Sequence, residues 1–527
     1  MKLALEGSIV PLRKSRPKEC FAGRVYLREN GRIAGVKRVG KNPPTGFNAV
    51  PIVSVGDAFI YPGLIDLHSH IAYNALPLWH RDEERRPYLH HDIWPGRDGY
   101  KQNVGWPAWL LARGAAEELM AYVQVQALAG GTTAVQGWPT FNRRPANQLV
   151  RNLDDQSFAD EHGGRDNMQT SALTLDSEAL LNKSNALEQG KGFIYHCAEG
   201  QKGSRVVKEF DDLGTANCLR ERLIAIHCCA VGEAAFKKWK ARAKLMNGER
   251  PGAIVWSPFS NLWLYGREQT SDVPGARRHG VKVCLGTDWG PSGTKNLLGE
   301  LKAARLCADD LGWQLSDFDL VEMVTGSPGD MLHRIWKKRV GRLVTHGLGD
   351  LVVVKRTVDD PWQNLVRARE EHVQLVVVDS RPRYGKRALM EACGAKATTW
   401  VRVGNAYRRL VLKDPIDEDK PFDERRPWSW KKVLAQLEWV RQHPTLEWVN
   451  SLTASAAGAA TPQSNQRLII ELDMPGALGM VAGPPPAGKL VNIAPIPSLR
   501  HDRNWRREVK GRGFHQEVFN DLDRFYT

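Results

Sequence analysis

The sequence predicts an α/β protein built around a (β/α)8 TIM barrel. Three observations carry that expectation. Eight short apolar, strand-like segments alternate with helical stretches between residues 61 and 337, the number and length that such a barrel needs. Strand patterns punctuated by Gly and Pro lie on both sides, at 1–60 and 338–412, and read as one small composite β-sandwich domain split by the barrel. His or Asp ends several of the apolar segments, which core packing alone does not ask for. The remaining residues, 413–527, form a C-terminal extension of different texture and unknown role.

Taken in order, KLALEG, GRVYLREN, GRIAGVKRVG and NAVPIVSVGD are the short strands of the first flank. Barrel strands are expected at GLIDLHSH (63–70), TTAVQG (132–137), QLVRNLD (148–154), MQTSALTL (168–175), GFIYHCA (192–198), LIAIHCC (223–229), AIVWS (253–257) and VKVCLGTD (281–288). Residues 107–128, 233–246 and 296–311 supply amphipathic helices between them, whereas little helix fits between the third and fourth strands. Strand text returns in GRLVTHGLGDLVVVKR and HVQLVVVDSRPRYG. Beyond residue 413, a tryptophan-bearing helix at 428–440 precedes the linker SLTASAAGAATPQS and the loop GPPPAGK, so the extension reads as a loosely packed appendage.

Composition narrows the function. With 42% hydrophobic and 25% charged residues in 527, the chain is an ordinary globular protein. No apolar run approaches the roughly 18 residues of a spanning helix, and the opening MKLALEGSIV has no secretory core. Its eight cysteines include no CxxC pair, which points to the reducing cytoplasm. The net charge of +15 is uneven, with basic residues gathered in 1–41 and again at Arg500, Arg503, Arg506, Arg507, Lys510 and Arg512. No nucleic-acid motif accompanies that charge, so it reads as solvated surface. GPPPAGK nearly spells a phosphate loop, but Leu490 stands where Ser or Thr must bind magnesium and three prolines remove N–H donors.

The chemistry gathers at strand ends. In His68-Ser-His70 the two imidazoles, two residues apart on a strand, face the same side. Alone, that is half a zinc site. His196, His227 and Asp288 end three further strands, and in a barrel all C-terminal strand ends meet at one face.

These segments resemble the amidohydrolase superfamily, on the branch that holds cytosine, guanine and adenosine-type deaminases and triazine hydrolases. The resemblance rests on PGLIDLHSH (62–70), GGTTAVQG (130–137), HCAEG (196–200), IHCCA (226–230), WSPFSNLWLYG (256–266) and LGTDWGPSG (285–293), in the family's order, with GRLVTHGLGDLVVV (341–354) closing the match. It spans roughly residues 1–410. It implies one divalent metal ion per chain, zinc or alternatively iron, held by His68, His70, His196 and Asp288. No strand-end Lys precedes His196, as a bridging carboxylated lysine between two metals would require. Glu199, three residues after His196, is implied as the proton shuttle. His227 is implied as a catalytic group that polarises the atom under attack, and Asp288 as both ligand and holder of the nucleophilic water.

Weaker signals surround that set. Asn261 and Trp289 sit on loops of the same face and are candidate substrate contacts. The polar, aromatic segment 80–100 reads equally as a lid or as a solvated loop, and His90-His91, as sequence neighbours, chelate poorly. The expected activity is hydrolysis at a non-peptide C–N carbon, as an aminohydrolase of a nitrogen heterocycle. The alternatives are amidase or chlorohydrolase chemistry on the same site, a non-catalytic binding protein with this fold, or nucleic-acid binding through the basic surfaces. The expected partner is a small molecule and not a membrane, and self-association is left open.

Overall fold

The computed structural model describes residues 2–80, 86–155, 158, 168–171, 174–417, 420–421, 424–443, 468–472, 502–511 and 516–526. The first flank holds β1 (Leu3–Ile9), β2 (Phe21–Leu27), β3 (Ile33–Arg38) and β4 (Ile52–Pro62). The central region follows with β5 (Leu64–Asp66), β6 (Thr132–Val135), β7 (Thr140–Phe141), β8 (Arg151–Asn152), β9 (Met168–Ser171), β10 (Gly192–Cys197), β11 (Leu223–His227), β12 (Ala253–Trp256) and β13 (Lys282–Leu285). Then come β14 (Leu351–Lys355), β15 (Val373–Val378), β16 (Arg381–Gly385), β17 (Thr398–Val403), β18 (Ala406–Val411) and the short β19 (Ile470–Glu471).

Strands of both flanks share one nine-stranded sheet, ordered β17-β18-β16-β15-β14-β4-β1-β2-β3. It is hydrogen-bonded continuously from one flank to the other. β4 and β14 form the seam, antiparallel from Leu351 opposite Pro62 to Lys355 opposite Ala58. Because β4 leads straight into β5, this seam anchors the first strand of the central region.

That region holds parallel strands at all eight expected segments, in two ladders: β5-β6-β8 and β13-β12-β11-β10-β9. The ladders join beyond β5 and β13, where Ser69 bridges Asp288 in parallel. There Asp288 N–H donates to the His68 carbonyl at 2.9 Å, and His70 N–H to the Asp288 carbonyl at 3.2 Å. No ladder joins β8 to β9 among the described residues. Period-two alternation sorts the strand residues into layers. Ile194, Ile224 and Val255 share an interior cluster with Met331 and Trp336, while Phe193 and Tyr195 face the helical layer.

One buried ion cluster ties the two parts together. Arg151, in β8, is 1% exposed; its Nε and Nη2 donate to the two Asp350 oxygens at 2.6 and 3.0 Å, and Nη2 also reaches Asp379 Oδ1 at 3.4 Å.

The C-terminal extension departs from the expected loose appendage. Helix Trp430–Gln442 stacks Trp430 on Tyr122 at 5.8 Å. β19 pairs antiparallel with β7. Helix Arg503–Gly511 and its successor Gln516–Asn520 bury Trp505, Val509 and Phe519 against the helical layer. Hiding such large apolar side chains is what fastens the segment. The linker 451–464 and the loop 483–489 lie outside the described residues. No helix among the described residues is long and apolar enough to cross a membrane, and all eight cysteines are free thiols.

Candidate metal centre

The backbone turns sharply where the strands end. Ala198, His227, Cys228 and Asp288 all have positive φ, between 51° and 65°, a left-handed conformation that L-residues sustain only when their surroundings impose it. Gly137, at φ +89°, passes so close to the strand carrying the HxH pair that a Cβ there would lie 1.4 Å from the Ser69 carbonyl oxygen. These turns aim the side chains at one point.

His68 Nε2 lies 2.9 Å from Asp288 Oδ1, and His70 Nε2 lies 3.9 Å from the same oxygen. The ring of His196 is 4.7 Å from that of His68 and 5.3 Å from that of His70, centre to centre. His227 Nε2 is 3.6 Å from Glu199 Oε2 and 3.9 Å from Asp288 Oδ2. Three overlapping trios, His68–His196–His227, His68–His70–Asp288 and Glu199–His227–Asp288, each hold their donor atoms within 4.8 Å. The six residues expected at the site therefore meet. Asn261 and Trp289 join them differently.

Asn261 is fully buried in helix Pro258–Tyr265 and contacts His227. The direction of that contact can be derived. The Trp256 indole can only donate, and does so to Thr270 Oγ1 at 2.7 Å; Thr270 then donates to Asn261 Oδ1 at 3.4 Å. The Asn261 amide nitrogen is left to donate to His227 Nδ1 at 3.2 Å, which puts the His227 proton on Nε2, facing Glu199 and Asp288. Buried His227 Nε2 has no hydrogen-bond partner among the described residues. Trp289 stacks on Trp94 at 4.8 Å and is 2% exposed.

Glu199 receives a hydrogen bond at Oε1 from Tyr265 Oη at 2.6 Å. Burial pushes its carboxyl up to about 7. Burial holds His196 well below its ordinary value and His227 at about 3, so both imidazoles are neutral, the form that binds metal. Burial alone would raise the Asp288 carboxyl, but His68 and His227 outweigh it and keep it ionised. Asp66 supports the HxH strand by accepting from Thr287 N–H at 3.1 Å and Thr287 Oγ1 at 2.5 Å.

The described part of segment 80–100 is partly packed: His80, Tyr88, His90, Trp94 and Tyr100 are buried, while Arg86, Leu89, Asp92 and Asp98 are exposed. His80 stacks on Tyr88 at 4.7 Å, and His91 N–H donates to the Glu199 carbonyl. His91 Nε2 meets Glu209 Oε1 at 2.9 Å, and Glu209 Oε2 accepts from Ala198 N–H at 2.7 Å. His90 and His91 enter no metal-compatible trio among the described residues.

A cavity of about 510 Å3 adjoins three of the imidazoles. His68, His70 and His196 form its inner end; Gln136, Asn152 and Asp154 give it polar groups, and Trp138 and Phe141 aromatic ones. Neither Asn261 nor Trp289 lines it. Sequence reasoning missed Tyr265, though it lies four residues after Asn261 and so on the same helix face. It also missed Gln136 and Asp154, although TTAVQG and QLVRNLD end in polar residues like the strands that it did use.

No protein-family model matches the chain. A 5-methylthioadenosine/S-adenosylhomocysteine deaminase of Desulfitobacterium hafniense is 26% identical over 331 residues, which is 58% of this chain and 73% of that protein. An adenosine deaminase from Xanthomonas campestris, solved with bound zinc, aligns with a TM-score of 0.56 at 16% identity over 84% of this chain and 98% of its own. A variant atrazine chlorohydrolase from Arthrobacter aurescens, solved with zinc and atraton, aligns with a TM-score of 0.55 at 14% identity over 72% and 94%. At these identities the solved structures speak for the fold. In its strand-end motifs and its fold the chain is similar to these deaminases and hydrolases.

Proposed function

We propose that the chain is a metal-dependent aminohydrolase, in which water adds to a ring carbon of a nitrogen heterocycle and an amino group leaves as ammonia. One observation carries this reading: six titratable side chains from four strand ends meet, and three of them, His68, His70 and His196, line a cavity that also holds aromatic and amide groups. The eight parallel strands are read as the (β/α)8 barrel at 61–337, and the nine-stranded sheet as a composite domain supplied by 1–60 and 338–412.

The donor set fits a metal. Neutral imidazoles and one ionised carboxylate suit zinc, with iron the alternative; His68, His70 and Asp288 hold their donor atoms within 4.8 Å of one another, and His196 lies within the same distance of His68. His68, His70, His196 and Asp288 would hold one such ion. When bound, it supplies Lewis acidity and lowers the pKa of water towards 7. Glu199, with a carboxyl near 7, can take a proton and return it to the departing nitrogen, and Tyr265 fixes one oxygen so that the other faces His227. The Nε2–H of His227, set by Asn261, donates to developing negative charge. Asn261 is thus read as a positioning residue, not a substrate contact. The free thiols suit the cytoplasm.

The test is ammonia release by metal-assayed protein from a panel of purines, purine nucleosides, pyrimidines and triazines. Adenosine-type amines are expected to lead, as in the relatives' names. Release of chloride without ammonia would move the reading to chlorohydrolase chemistry. Inactivity of metal-loaded protein on the whole panel would overturn it.

A further inference from the structure

We propose that the C-terminal extension is a working part of the catalytic site: β19 props the cavity wall, and Trp505 with Phe519 braces the helix that positions His227 and Glu199. This rests on the reading of the site given above. Two separate contacts carry it, from stretches of chain some thirty residues apart.

The first is at the cavity. Thr140 and Phe141 line it and form β7, a two-residue strand whose sheet, among the described residues, contains only β19 as its partner. Ile470 stands opposite Phe141 and Glu471 opposite Thr140. Asn142 closes the pair from both sides. Its N–H donates to the Ile469 carbonyl at 3.2 Å, and its Oδ1 accepts from the Ile469 N–H at 2.9 Å. Ile470 is 1% exposed. A two-residue strand does not hold its shape alone in water, so this wall depends on its distant partner.

The second is behind the reacting groups. Phe259 lies in the first turn of helix Pro258–Tyr265, which carries Asn261 to His227 and Tyr265 to Glu199. The extension covers Phe259 with two stacked rings, Trp505 at 5.1 Å and Phe519 at 4.9 Å. The Trp505 indole N–H also reaches the Gly293 carbonyl at 3.4 Å, on the loop that follows Asp288. One side chain thus touches the loop after Asp288 and the helix that orients His227 and Glu199. Trp505 and Phe519 are positioning residues, and Ile470 supports the wall that a substrate meets.

Full-length variants Ile470→Asp, Trp505→Ala, Trp505→Phe and the milder Phe519→Leu test this by hydrogen–deuterium exchange read by peptide, zinc content, and turnover of adenosine. Ile470→Asp is expected to speed exchange in 137–142 only, and to raise KM with kcat kept. Trp505→Ala and Phe519→Leu are expected to speed exchange in 258–265 about 3–10-fold, the scale of one lost aromatic pair, and to lower kcat by a similar factor with KM and zinc content kept. Trp505→Phe, which keeps a stacking ring, is expected to restore most of kcat. Unchanged exchange in both segments overturns the proposal, as does a uniform rise along the chain in Phe519→Leu as well as in Trp505→Ala. A wild type that releases no ammonia while the exchange changes stay local would overturn the activity reading and leave the bracing intact.

Discussion

Arg151 and the strand-end histidines are both buried in the central region, but they are provisioned in opposite ways. Around Arg151, Nε and Nη2 donate to Asp350, Nη2 also to Asp379, and Nη1 to the Phe158 carbonyl. Its charge is answered on every side. At the strand ends, burial keeps His196 and His227 neutral, buried His227 Nε2 has no hydrogen-bond partner among the described residues, and four residues hold left-handed backbone. Buried polar groups normally pair with one another, whereas these imidazoles and the Asp288 carboxylate converge as donor atoms, the arrangement that suits a cation. The first arrangement fastens two sheets together; the second presents ligand atoms.

If that contrast is right, removing a ligand has the largest effect. His68→Ala and Asp288→Ala should each lose most of about one equivalent of zinc or iron, and all metal-dependent turnover with it. Elemental analysis checks this: full retention in both variants breaks the ligand assignment, and two tightly held ions in the wild type break the one-metal reading. Next comes Glu199→Gln, which keeps shape but removes the base. Turnover should fall by about 10²–10⁴-fold with metal content unchanged. Metal loss would make Glu199 a ligand instead.

Arg151→Met tests the other half of the comparison. It leaves the carboxylates of Asp350 and Asp379 buried without their cation, at an expected cost of about 3–5 kcal/mol in chemical denaturation. Zinc content should be unchanged in the protein that remains folded. A smaller loss than 1 kcal/mol would mean that the cluster is not the fastening described.

Tyr265→Phe is the mildest change. Burial raises the Glu199 carboxyl, and the Tyr265 hydrogen bond pulls it back. Without that bond the carboxyl rises further above about 7. Because the base must be ionised, the acid limb of the pH–rate profile should move to higher pH. Turnover at neutral pH should drop roughly 10-fold, the scale of one hydrogen bond to a charged group, and recover in alkaline buffer. An unmoved acid limb would detach Tyr265 from the proton transfer.

Much of this centre was legible as text, because covalent geometry makes it local. In HSH, the two-residue period puts His68 and His70 on one side whatever surrounds them, and the runs before His196, His227 and Asp288 spell buried parallel strands. What only the tertiary structure decided are the meetings between distant stretches. Asp288 comes beside His68 through a bridge spanning 219 residues between hydrogen-bonded neighbours. The cavity opens towards Gln136 and Phe141 and away from Trp289, which Trp94 has covered. The proton of His227 is placed by a hydrogen-bond chain that begins at Trp256. Most of all, an extension that looked dispensable supplies β19 to β7 and Trp505 to Phe259. Nothing within ten residues of Ile470 or Trp505 encodes those partners. Non-local contacts are selected by shape and by the apolar surface they hide, and these exist only once the rest of the chain has folded.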